Sequence, residues 1–219
     1  MLITAGPTHE PIDAVRYVAN RSSGRLGVCL AEAARDAGWE VTLLLGPVAS
    51  APPDGVRMLS FESTSDLAGL LGEHFPACDV LIMAAAVADY RPRRPAEHKL
   101  PRTGKKLLLE LEPTPDLVAA CAARKRAGQR IIGFALEEPE VLAERAREKL
   151  RRKGLDAVVA NPLQTMGAGE IRAVVYTAAG RTVTPPAARE PGRGGRGRPA
   201  GLSKADFARW LIEWVGAEI

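Results

Sequence analysis

TAGPTHEPIDAVRYVANRSSGRLG spans residues 4–27 and joins a short apolar strand at residues 1–5 to a helix at residues 24–37. Free backbone N–H groups and the positive end of a helix dipole favour an anion at such a helix start. Gly24 and Gly27 have no Cβ and would let a ligand approach, while Ser22 and Ser23 could donate hydroxyl groups and cap the helix. The stretch predicts a phosphate-binding loop, with a plain capped helix after a long loop as the alternative.

Two common nucleotide-binding motifs are absent from the sequence. It has no GxxxxGK[ST] motif, and no GxGxxG motif in a tight turn between the first strand and the first helix. The second strand runs into Gly46 and Pro47, where a dinucleotide-binding fold would place an acidic residue for the ribose. A nicotinamide or flavin dinucleotide is therefore disfavoured.

Strands and helices alternate along the first 160 residues. Strands are predicted at residues 1–5, 41–45, 57–61, 80–85, 107–111, 130–135 and 156–160, with helices at 24–37, 64–75, 115–126 and 139–153. We expect Gly38 to end the first helix in a left-handed conformation, and Ser63 or Thr64 to cap the second. The alternation predicts an α/β fold with a Rossmann-like, doubly wound, mainly parallel sheet. A C-terminal hairpin at 172–177 and 181–184 and a closing helix at 202–219, capped by Ser203, complete it.

Composition limits the class of protein. The chain has 219 residues, 46% hydrophobic and 26% charged, which fits one globular domain over residues 1–219. No apolar run approaches the roughly 20 residues of a membrane helix, and the sequence begins with a strand, not a signal peptide. Cys29, Cys78 and Cys121 are predicted to be reduced core thiols, with a reactive thiol as the less favoured alternative. These features predict a cytoplasmic protein without membrane contact.

Two segments interrupt the alternation. Residues 90–106 are rich in Pro, Lys and Arg, and predict either a solvated loop or a basic flap over an anionic site. Residues 189–201, REPGRGGRGRPAG, predict a flexible Gly/Arg loop. An RNA contact by this loop is the weaker interpretation because it has no aromatic residue. The net charge of +4 fits anionic small ligands as well as nucleic acid. We expect no nucleic-acid partner.

Candidate ligand groups follow the predicted strands, because ligands of doubly wound sheets collect at the carboxyl ends of the strands. Those ends lie at Gly6, Gly46, residues 85–89, Phe134 and Asn161. Asp89 could contact a ligand or cap a helix or turn, and Lys149 and Lys153 could contact a ligand or form a wet helix face. Arg16 could bind a phosphate or carboxylate bidentately, and Asn20 could donate to an oxyanion. No His/Cys metal cluster and no Ser-His-Asp arrangement is indicated. The residues alone thus predict an α/β domain that binds a phosphorylated ligand.

Five ordered segments resemble the phosphopantothenoylcysteine synthetase family of coenzyme A biosynthesis. They are GPTHEPIDAVRYVANRSSGRLG, AAAVADYRP, EPTPDLV, IIGFALE and AREKLRRKGLDAVVAN. The resemblance covers residues 2–161, and the tail LSKADFARWLIEWV is similar to the C-terminal helix of that family. It implies a ligase that joins 4′-phosphopantothenate to L-cysteine through an acyl-nucleotide, with release of pyrophosphate and the nucleoside monophosphate.

The resemblance also implies roles for individual residues. Asn20 would bind the acyl group and act in the second step, and Ala85, Ala86 and Asp89 would line the pantothenate side. Arg16 would reach in from the neighbouring subunit of a homodimer. The nucleotide pocket would be formed by Gly6, Ser22, Gly24, Gly27, Asp89, Pro115, Asp116, Leu117, Val118, Phe134 and Asn161. Lys99, Lys149 and Lys153 would neutralise the phosphates together with Mg²⁺, which would be bound mainly through those phosphates.

The AREKLRRKGLD segment resembles the bacterial branch of the family, which implies CTP, whereas the animal branch uses ATP. Two features depart from the family pattern. The flap reads Lys-Ile-Lys-Lys in the family and Lys99-Leu100-Pro101-Arg102 here, so that Pro101 could stiffen it. The flavin-dependent decarboxylase half to which bacterial members are fused is absent from this sequence, so no flavin is expected in this chain, although that half could be a fusion or partner. A catalytically inactive nucleotide-binding module is the main alternative, and an NAD(P) oxidoreductase is a weaker one.

Overall fold

A computed structural model describes residues 1–49, 51–165, 167–186 and 201–218. Its strands are β1 Leu2–Ala5, β2 His9–Pro11, β3 Tyr17–Ala19, β4 Thr42–Leu45, β5 Arg57–Ser60, β6 Val80–Met83, β7 Tyr90–Pro92, β8 Leu111–Pro113, β9 Arg130–Glu137, β10 Ala157–Pro162, β11 Glu170–Ile171, β12 Val174–Thr177, β13 Thr182–Val183 and β14 Leu202–Ser203. Its helices are α1 Arg25–Asp36, α2 Thr64–His74, α3 Leu117–Ala122, α4 Pro139–Arg152 and α5 Lys204–Glu218.

Eight strands form a mainly parallel sheet in the order β13-β12-β10-β9-β6-β1-β4-β5. The six strands from β10 to β5 are parallel, and β12 and β13 add an antiparallel edge. The chain first winds from β1 outward through β4 to β5, then returns to β6 on the other side of β1 and winds outward again. This reversal leaves a crevice at the carboxyl ends of β1 and β6, where doubly wound sheets bind ligands. The predicted fold class and C-terminal hairpin are confirmed.

Apolar side chains cover both faces of the sheet. On one face α1 and α5 pack together, with Leu30, Ala34, Phe207 and Leu211 buried against the strands. The other face is covered mainly by α2, α3 and α4. Strands such as β6 are buried along their whole length, as expected for a parallel sheet between two helical layers.

Local capping chemistry sets several helix ends. Ser63 and Asp66 form a reciprocal capping box at the start of α2, and Ser203 accepts the Asp206 N–H at 3.0 Å at the start of α5. Gly38 has φ +84° just after α1, as predicted. The prediction that Ser22 or Ser23 caps α1 is wrong, because Gly24 is the N-cap and no side chain caps this end.

Two sequence predictions about loops need correction. Residues 4–27 contain an antiparallel hairpin, β2–β3, which the sequence analysis missed. The predicted strand at 107–111 is wrong: β8 begins at Leu111 and pairs with β7, so that these two strands frame the basic flap. Leu108 is 88% exposed, so the apolar run at 107–109 does not enter the sheet. The predicted helix at 115–126 shortens to α3, which Asp116 caps by accepting the Ala119 N–H at 3.2 Å.

The Gly/Arg loop at 189–201 lies outside the described residues except for Gly201. None of the helices in the described ranges is long and apolar enough to cross a bilayer.

Candidate functional site

A cavity of about 1110 Å³ opens at the crevice between the carboxyl ends of β1 and β6. Its walls come from the loop into α1, the end of β6 and the loop after it, the segment into α3, the second half of β9 and one face of α4. Asn161 with residues 163, 165, 167 and 171, and Lys204 at the start of α5, complete the described lining. Of the residues predicted from the sequence, it brings together Asn20, Ser22, Gly24, Gly27, Ala85, Ala86, Asp89, Pro115, Asp116, Leu117, Val118, Phe134, Lys149, Lys153 and Asn161.

The loop after β6 has its backbone fixed by neighbouring groups. The Ala85 N–H donates to Thr4 Oγ1 at 3.0 Å, and the Ala86 N–H donates to the carbonyl of Gly6 at 2.8 Å. Asn20 follows β3 directly, and its Nδ2 donates to the carbonyl of Val87 at 2.9 Å. The β2–β3 hairpin therefore presents the Asn20 amide beside this loop. Because a strand, β7, follows Asp89, the alternative that Asp89 caps a helix is wrong.

The N-terminus of α1 forms the opposite wall. The first intrahelical hydrogen bond runs from the Val28 N–H to the Gly24 carbonyl at 3.1 Å, so the amides of residues 25–27 lie before it. Ser22 Oγ accepts the Gly24 N–H at 3.3 Å. A 12-residue helix that begins with uncapped amides in a cavity wall favours an anion there.

Backbone conformation and packing explain why two residues of this wall are glycine, whereas the sequence predicted the close approach of a ligand as the reason. Gly24 has φ +68°, and a Cβ there would lie 2.8 Å from Val48 Cγ1. A Cβ on Gly27 would lie 2.3 Å from Ala5 Cβ, because α1 packs directly on β1. Both positions therefore require glycine for the fold of the wall itself.

Lys149 and Lys153 project from α4 into the cavity wall. Lys149 Nζ donates to the carbonyl of Phe134 at 2.6 Å, and Lys153 Nζ lies 2.8 Å from Asp116 Oδ2. Burial lowers the pKa of Lys149, and the neighbouring charge of Lys153 lowers it further. Since both lysines are largely shielded from solvent, the alternative of a wet helix face is wrong. Phe134 and Asn161 lie within β9 and β10, not at their ends as predicted.

Positive charge dominates the cavity wall. The five cationic side chains among the described lining residues are Arg21, Arg25, Lys149, Lys153 and Lys204, against two acidic ones, Asp89 and Asp116. Arg21, Arg25 and Lys204 were not predicted from the sequence. The first two flank the Ser-Ser-Gly segment and could have been found there, whereas Lys204 arrives from the start of α5, about 180 residues away in the sequence. Burial lowers the pKa of Lys204, followed by the effect of Arg25. The excess of cations favours a polyanionic ligand.

The sequence model of the DNA/pantothenate metabolism flavoprotein C-terminal domain matches residues 1–189. The chain belongs to this family. The predicted membership of the phosphopantothenoylcysteine synthetase part of the bifunctional coenzyme A flavoproteins is thereby confirmed. A crystal structure of the C-terminal domain of the coenzyme A biosynthesis bifunctional protein CoaBC is 34% identical, covers 98% of this chain and 92% of that one, and superimposes with a TM-score of 0.78.

Relatives in sequence are longer proteins. The coenzyme A biosynthesis bifunctional protein CoaBC of Vibrio cholerae is 41% identical over 171 residues, which cover 77% of this chain and 43% of that protein. A cysteine/cysteine sulfinic acid decarboxylase of an unknown prokaryotic organism is 42% identical over 170 residues, 77% of this chain and 47% of that protein. The chain thus spans less than half the length of these relatives. The DNA/pantothenate metabolism flavoprotein of Streptococcus pneumoniae is 25% identical, covers 100% of this chain and 98% of that one, and has a TM-score of 0.79.

Three residues that the family resemblance assigned to ligands lie outside the described cavity wall. Gly6 has φ +83° and packs against Gly46, and only its carbonyl reaches the loop after β6. Lys99 is exposed in the flap. Arg16 pairs with Asp13 and donates through Nη2 to the carbonyl of Leu100 at 3.2 Å.

The flap is fastened to the β2–β3 hairpin through Asp13 and Arg16. The carboxylate of Asp13 accepts the N–H of Leu100 at 3.0 Å, while Arg16 holds the carbonyl of the same residue. The Arg16 guanidinium, and after it the Leu100 amide, hold the pKa of the Asp13 carboxyl well below its usual range. Asp13 and Leu100 are therefore the observed partners of Arg16, and we call the contacts among these three residues the clasp.

No group of three His, Cys, Asp or Glu side chains in the described ranges is arranged to hold a metal ion. Of the two carboxylates in the cavity wall, Asp116 is already paired with Lys153. These donors fit a magnesium ion that is bound mainly by nucleotide phosphates better than one held by the protein alone.

Proposed function

We propose that the chain is the ligase that joins 4′-phosphopantothenate to L-cysteine at the expense of CTP, in coenzyme A biosynthesis. The observation that carries the proposal is the family-matched cavity, in which uncapped amides of α1 and an excess of cations surround the switch point of the sheet. Its size suits two ligands side by side, since a typical small-molecule site has roughly 300–1,000 Å³. The relative from Vibrio cholerae and the CoaBC C-terminal domain are named as coenzyme A biosynthesis proteins, which supports the same substrate class.

In this proposal the nucleotide lies along α1, α3 and α4, and its phosphates face Lys149 and Lys153. Ser22, Gly24, Gly27, residues 115–118, Phe134 and Asn161 form its pocket. The acyl substrate lies on the loop after β6, against Ala85, Ala86 and Asp89, with the Asn20 amide at its reacting end. CTP in preference to ATP rests on the resemblance of residues 146–156 to the bacterial branch.

Two steps account for the products. A carboxylate oxygen of 4′-phosphopantothenate attacks the α-phosphorus of CTP, and the bond to pyrophosphate breaks, which gives an acyl-cytidylate. The amine of cysteine then attacks the acyl carbon and loses a proton, and the bond to CMP breaks. Lys149 and Lys153 stabilise the charge that develops on the leaving pyrophosphate, and Asn20 donates to the oxyanion of the second step. Magnesium bound to the phosphates would supply further charge neutralisation.

We propose that the flap contributes Lys99 to the phosphates when it closes, and that Arg16 serves the site of a neighbouring subunit. A homodimer is supported by large apolar side chains on the β2–β3 hairpin, on β7 and on the flap between β7 and β8; β2 and β7 contact each other. Val15, Tyr17, Tyr90 and Leu108 are all more than half exposed there. Light scattering with chromatography should give twice the mass of the chain, and Leu108→Lys should reduce it to the monomer, whereas Met58→Lys on the edge strand β5 should not.

A ligase assay tests the proposed activity. The purified chain is supplied with 4′-phosphopantothenate, L-cysteine, Mg²⁺ and either CTP or ATP, and the products are measured by mass spectrometry. Phosphopantothenoylcysteine with equal amounts of CMP and pyrophosphate is the expected result with CTP. Product with ATP alone would overturn the nucleotide assignment, and no product with either would support the inactive nucleotide-binding module. A flavin-dependent decarboxylase partner and a cytoplasmic location stay predictions.

Two variants test the roles of single residues. Asn20→Asp should release pyrophosphate at a near-normal rate but form little amide product, because the second step loses its donor to the oxyanion. Lys99→Ala should slow turnover, with Lys105→Ala in the same flap as its control. Equal rates for these two flap variants would mean that Lys99 is only a solvated residue.

A further inference from the structure

A buried chain of hydrogen bonds runs from the loop after β6 to the carboxylate of Glu10. Glu10 in β2 is 2% exposed, and Thr8 and Thr64 are fully buried. Thr8 Oγ1 accepts the N–H of Ala88 at 3.0 Å and lies 3.2 Å from Thr64 Oγ1. Thr64 Oγ1 lies 2.7 Å from Glu10 Oε1, and the Thr64 N–H donates to the same oxygen at 2.9 Å.

The carboxylate fixes the direction of this chain. An ionised carboxylate only accepts hydrogen bonds, so the Thr64 hydroxyl donates to Glu10. Its oxygen is then free to accept the hydroxyl proton of Thr8, and the oxygen of Thr8 accepts from Ala88. Each of the two hydroxyl groups thus donates one hydrogen bond and accepts one, and the chain ends on a donor at Ala88 and an acceptor at Glu10, so every member is paired, as a stable buried polar network requires. Glu10 also lies at the first turn of α2, where the helix dipole favours a negative charge.

The far end of the chain is the peptide before Asp89. The carbonyl of Ala88 accepts from Thr114 Oγ1 at 2.5 Å, so this residue is held through both its N–H and its C=O. Val87, one residue earlier, accepts the Asn20 amide. The same network therefore sets the backbone on which the acyl substrate is proposed to lie, and it ties that backbone to the hairpin that carries Asn20.

We propose that Glu10 and Thr8 are positioning residues for the acyl substrate. Neither side chain is among the described residues that line the cavity, so both act through the Ala88 peptide and not by contact. This inference rests on the proposed function, and it deepens it by assigning control of one substrate subsite to a buried acid. A residue that only stabilises the fold would affect both subsites alike.

The test compares variants that differ by one hydroxyl group. Thr8→Val keeps the shape of the side chain but leaves the Ala88 N–H without its acceptor, whereas Thr8→Ser keeps the oxygen. Loss of the acceptor should let the Ala88 peptide shift, and a displacement of about 1 Å at a binding group can cost up to about a hundredfold. We expect Thr8→Val and Glu10→Leu, which removes the acceptor oxygens of Glu10, to raise the KM for 4′-phosphopantothenate by about tenfold. The Kd for CTP should stay within about twofold of wild type, and Thr8→Ser should restore the wild-type KM.

Thr177→Val is the matched control, because Thr177 is also buried and hydrogen-bonded but lies at the far end of β12. It should lower stability without raising the KM for 4′-phosphopantothenate. A Thr8→Val protein with an unchanged KM for 4′-phosphopantothenate would overturn the proposal, and so would one whose KM rises while its affinity for CTP falls by the same factor. If Thr8→Val does not fold, Glu10→Leu and Thr64→Val give the same comparison.

Amide hydrogen exchange distinguishes a failure of the positioning role from a failure of the proposed ligase reaction. Amide hydrogen exchange of Ala88, followed by NMR in the free protein, should accelerate in Thr8→Val and not in Thr8→Ser. An inactive wild type with this exchange pattern, and with binding of 4′-phosphopantothenate weakened in Thr8→Val, would refute the ligase reaction and leave the positioning role intact. Unchanged exchange would refute the positioning role whatever the activity.

Discussion

Gly27→Ala tests whether the packing of α1 on β1 fixes the anion-binding wall. An added Cβ would lie 2.3 Å from Ala5 Cβ, 3.1 Å from Ala5 Cα and 3.4 Å from the carbonyl of Thr4. Ordinary contact begins at 3.4 Å, so about 1 Å of overlap must be absorbed. Ala5 lies in β1, which is hydrogen-bonded to strands on both sides. The helix, and not the strand, should therefore move.

The expected free-energy change has two opposing parts. Replacing glycine by alanine in a helix interior stabilises by about 1 kcal/mol through propensity alone, while overpacking a close contact destabilises by about 1–3 kcal/mol. Gly69→Ala in α2 supplies the matched control, because nothing lies within 4 Å of its added Cβ. The propensity contribution is common to the two variants. Gly27→Ala should therefore be less stable than Gly69→Ala by about 1–3 kcal/mol.

Urea unfolding followed by circular dichroism measures the stability of both variants, and calorimetric titration measures CTP binding. Gly69→Ala should be slightly more stable than wild type and bind CTP normally. Gly27→Ala should bind CTP at least tenfold more weakly, since a displacement of about 1 Å at a binding group can cost up to about a hundredfold. Equal stability of the two variants would refute the packing argument. Normal CTP binding by a destabilised Gly27→Ala would refute the link between this contact and the site.

Three further predictions concern charges and thiols. Lys153→Met should weaken CTP binding about tenfold, because it removes a charge-assisted hydrogen bond of ~1.5 kcal/mol. Lys125→Met, away from the cavity, should leave CTP binding unchanged. Equal effects of the two variants would contradict a direct contact between Lys153 and CTP. Because the Arg16 guanidinium depresses the folded-state pKa of Asp13, its contribution to stability is present above the ordinary carboxyl pKa of about 3.9 and is lost as the pH falls through the folded-state value. Asp13→Asn should therefore flatten the acid side of a plot of urea midpoint against pH, and an unchanged slope would count against the clasp. Burial raises the pKa of the Cys78 thiol to about 11, so its alkylation rate should still be rising above the ordinary cysteine pKa of about 8.5; a plateau near that pH would show an ordinary thiol.

Much of the fold was predictable because it depends on local signals. Apolar runs located β4, β6 and β9 to within a few residues, and Ser63 and Gly38 marked helix ends through hydrogen bonds made within a few positions of the chain. The hairpin β2–β3 escaped because it has only three residues in each strand and exposes Tyr17. The apolar run at 107–109 was predicted as a strand because it is hydrophobic, but its three leucine side chains are exposed at the surface and do not join the core.

Most of the candidate site was predictable for a different reason. Because the carboxyl ends of the strands converge in a doubly wound sheet, residues 85–89 were predicted at the site from the fold. Residues 115–118 were assigned only through the family resemblance. The sequence left open whether Lys149 contacts a ligand or is solvated, since a charged helix position is usually solvated. Its contact with the carbonyl of Phe134 in β9 shows that Lys149 faces the cavity wall. Arg16 was predicted to bind a ligand, but its observed partners are Asp13 and Leu100, and it does not line the described cavity.

The sequence by itself determined the order of the parallel strands and of the helices, the family, and the loop that begins α1, because periodicity, capping and motif spacing act over short distances along the chain. Only the tertiary structure decided why Gly27 is glycine, how Lys204 joins the cavity wall, and which groups satisfy the buried carboxylate of Glu10. Each of these depends on atoms that are far apart in sequence and a few ångströms apart in space, and a close contact or buried hydrogen bond of that kind leaves no periodic trace in the sequence.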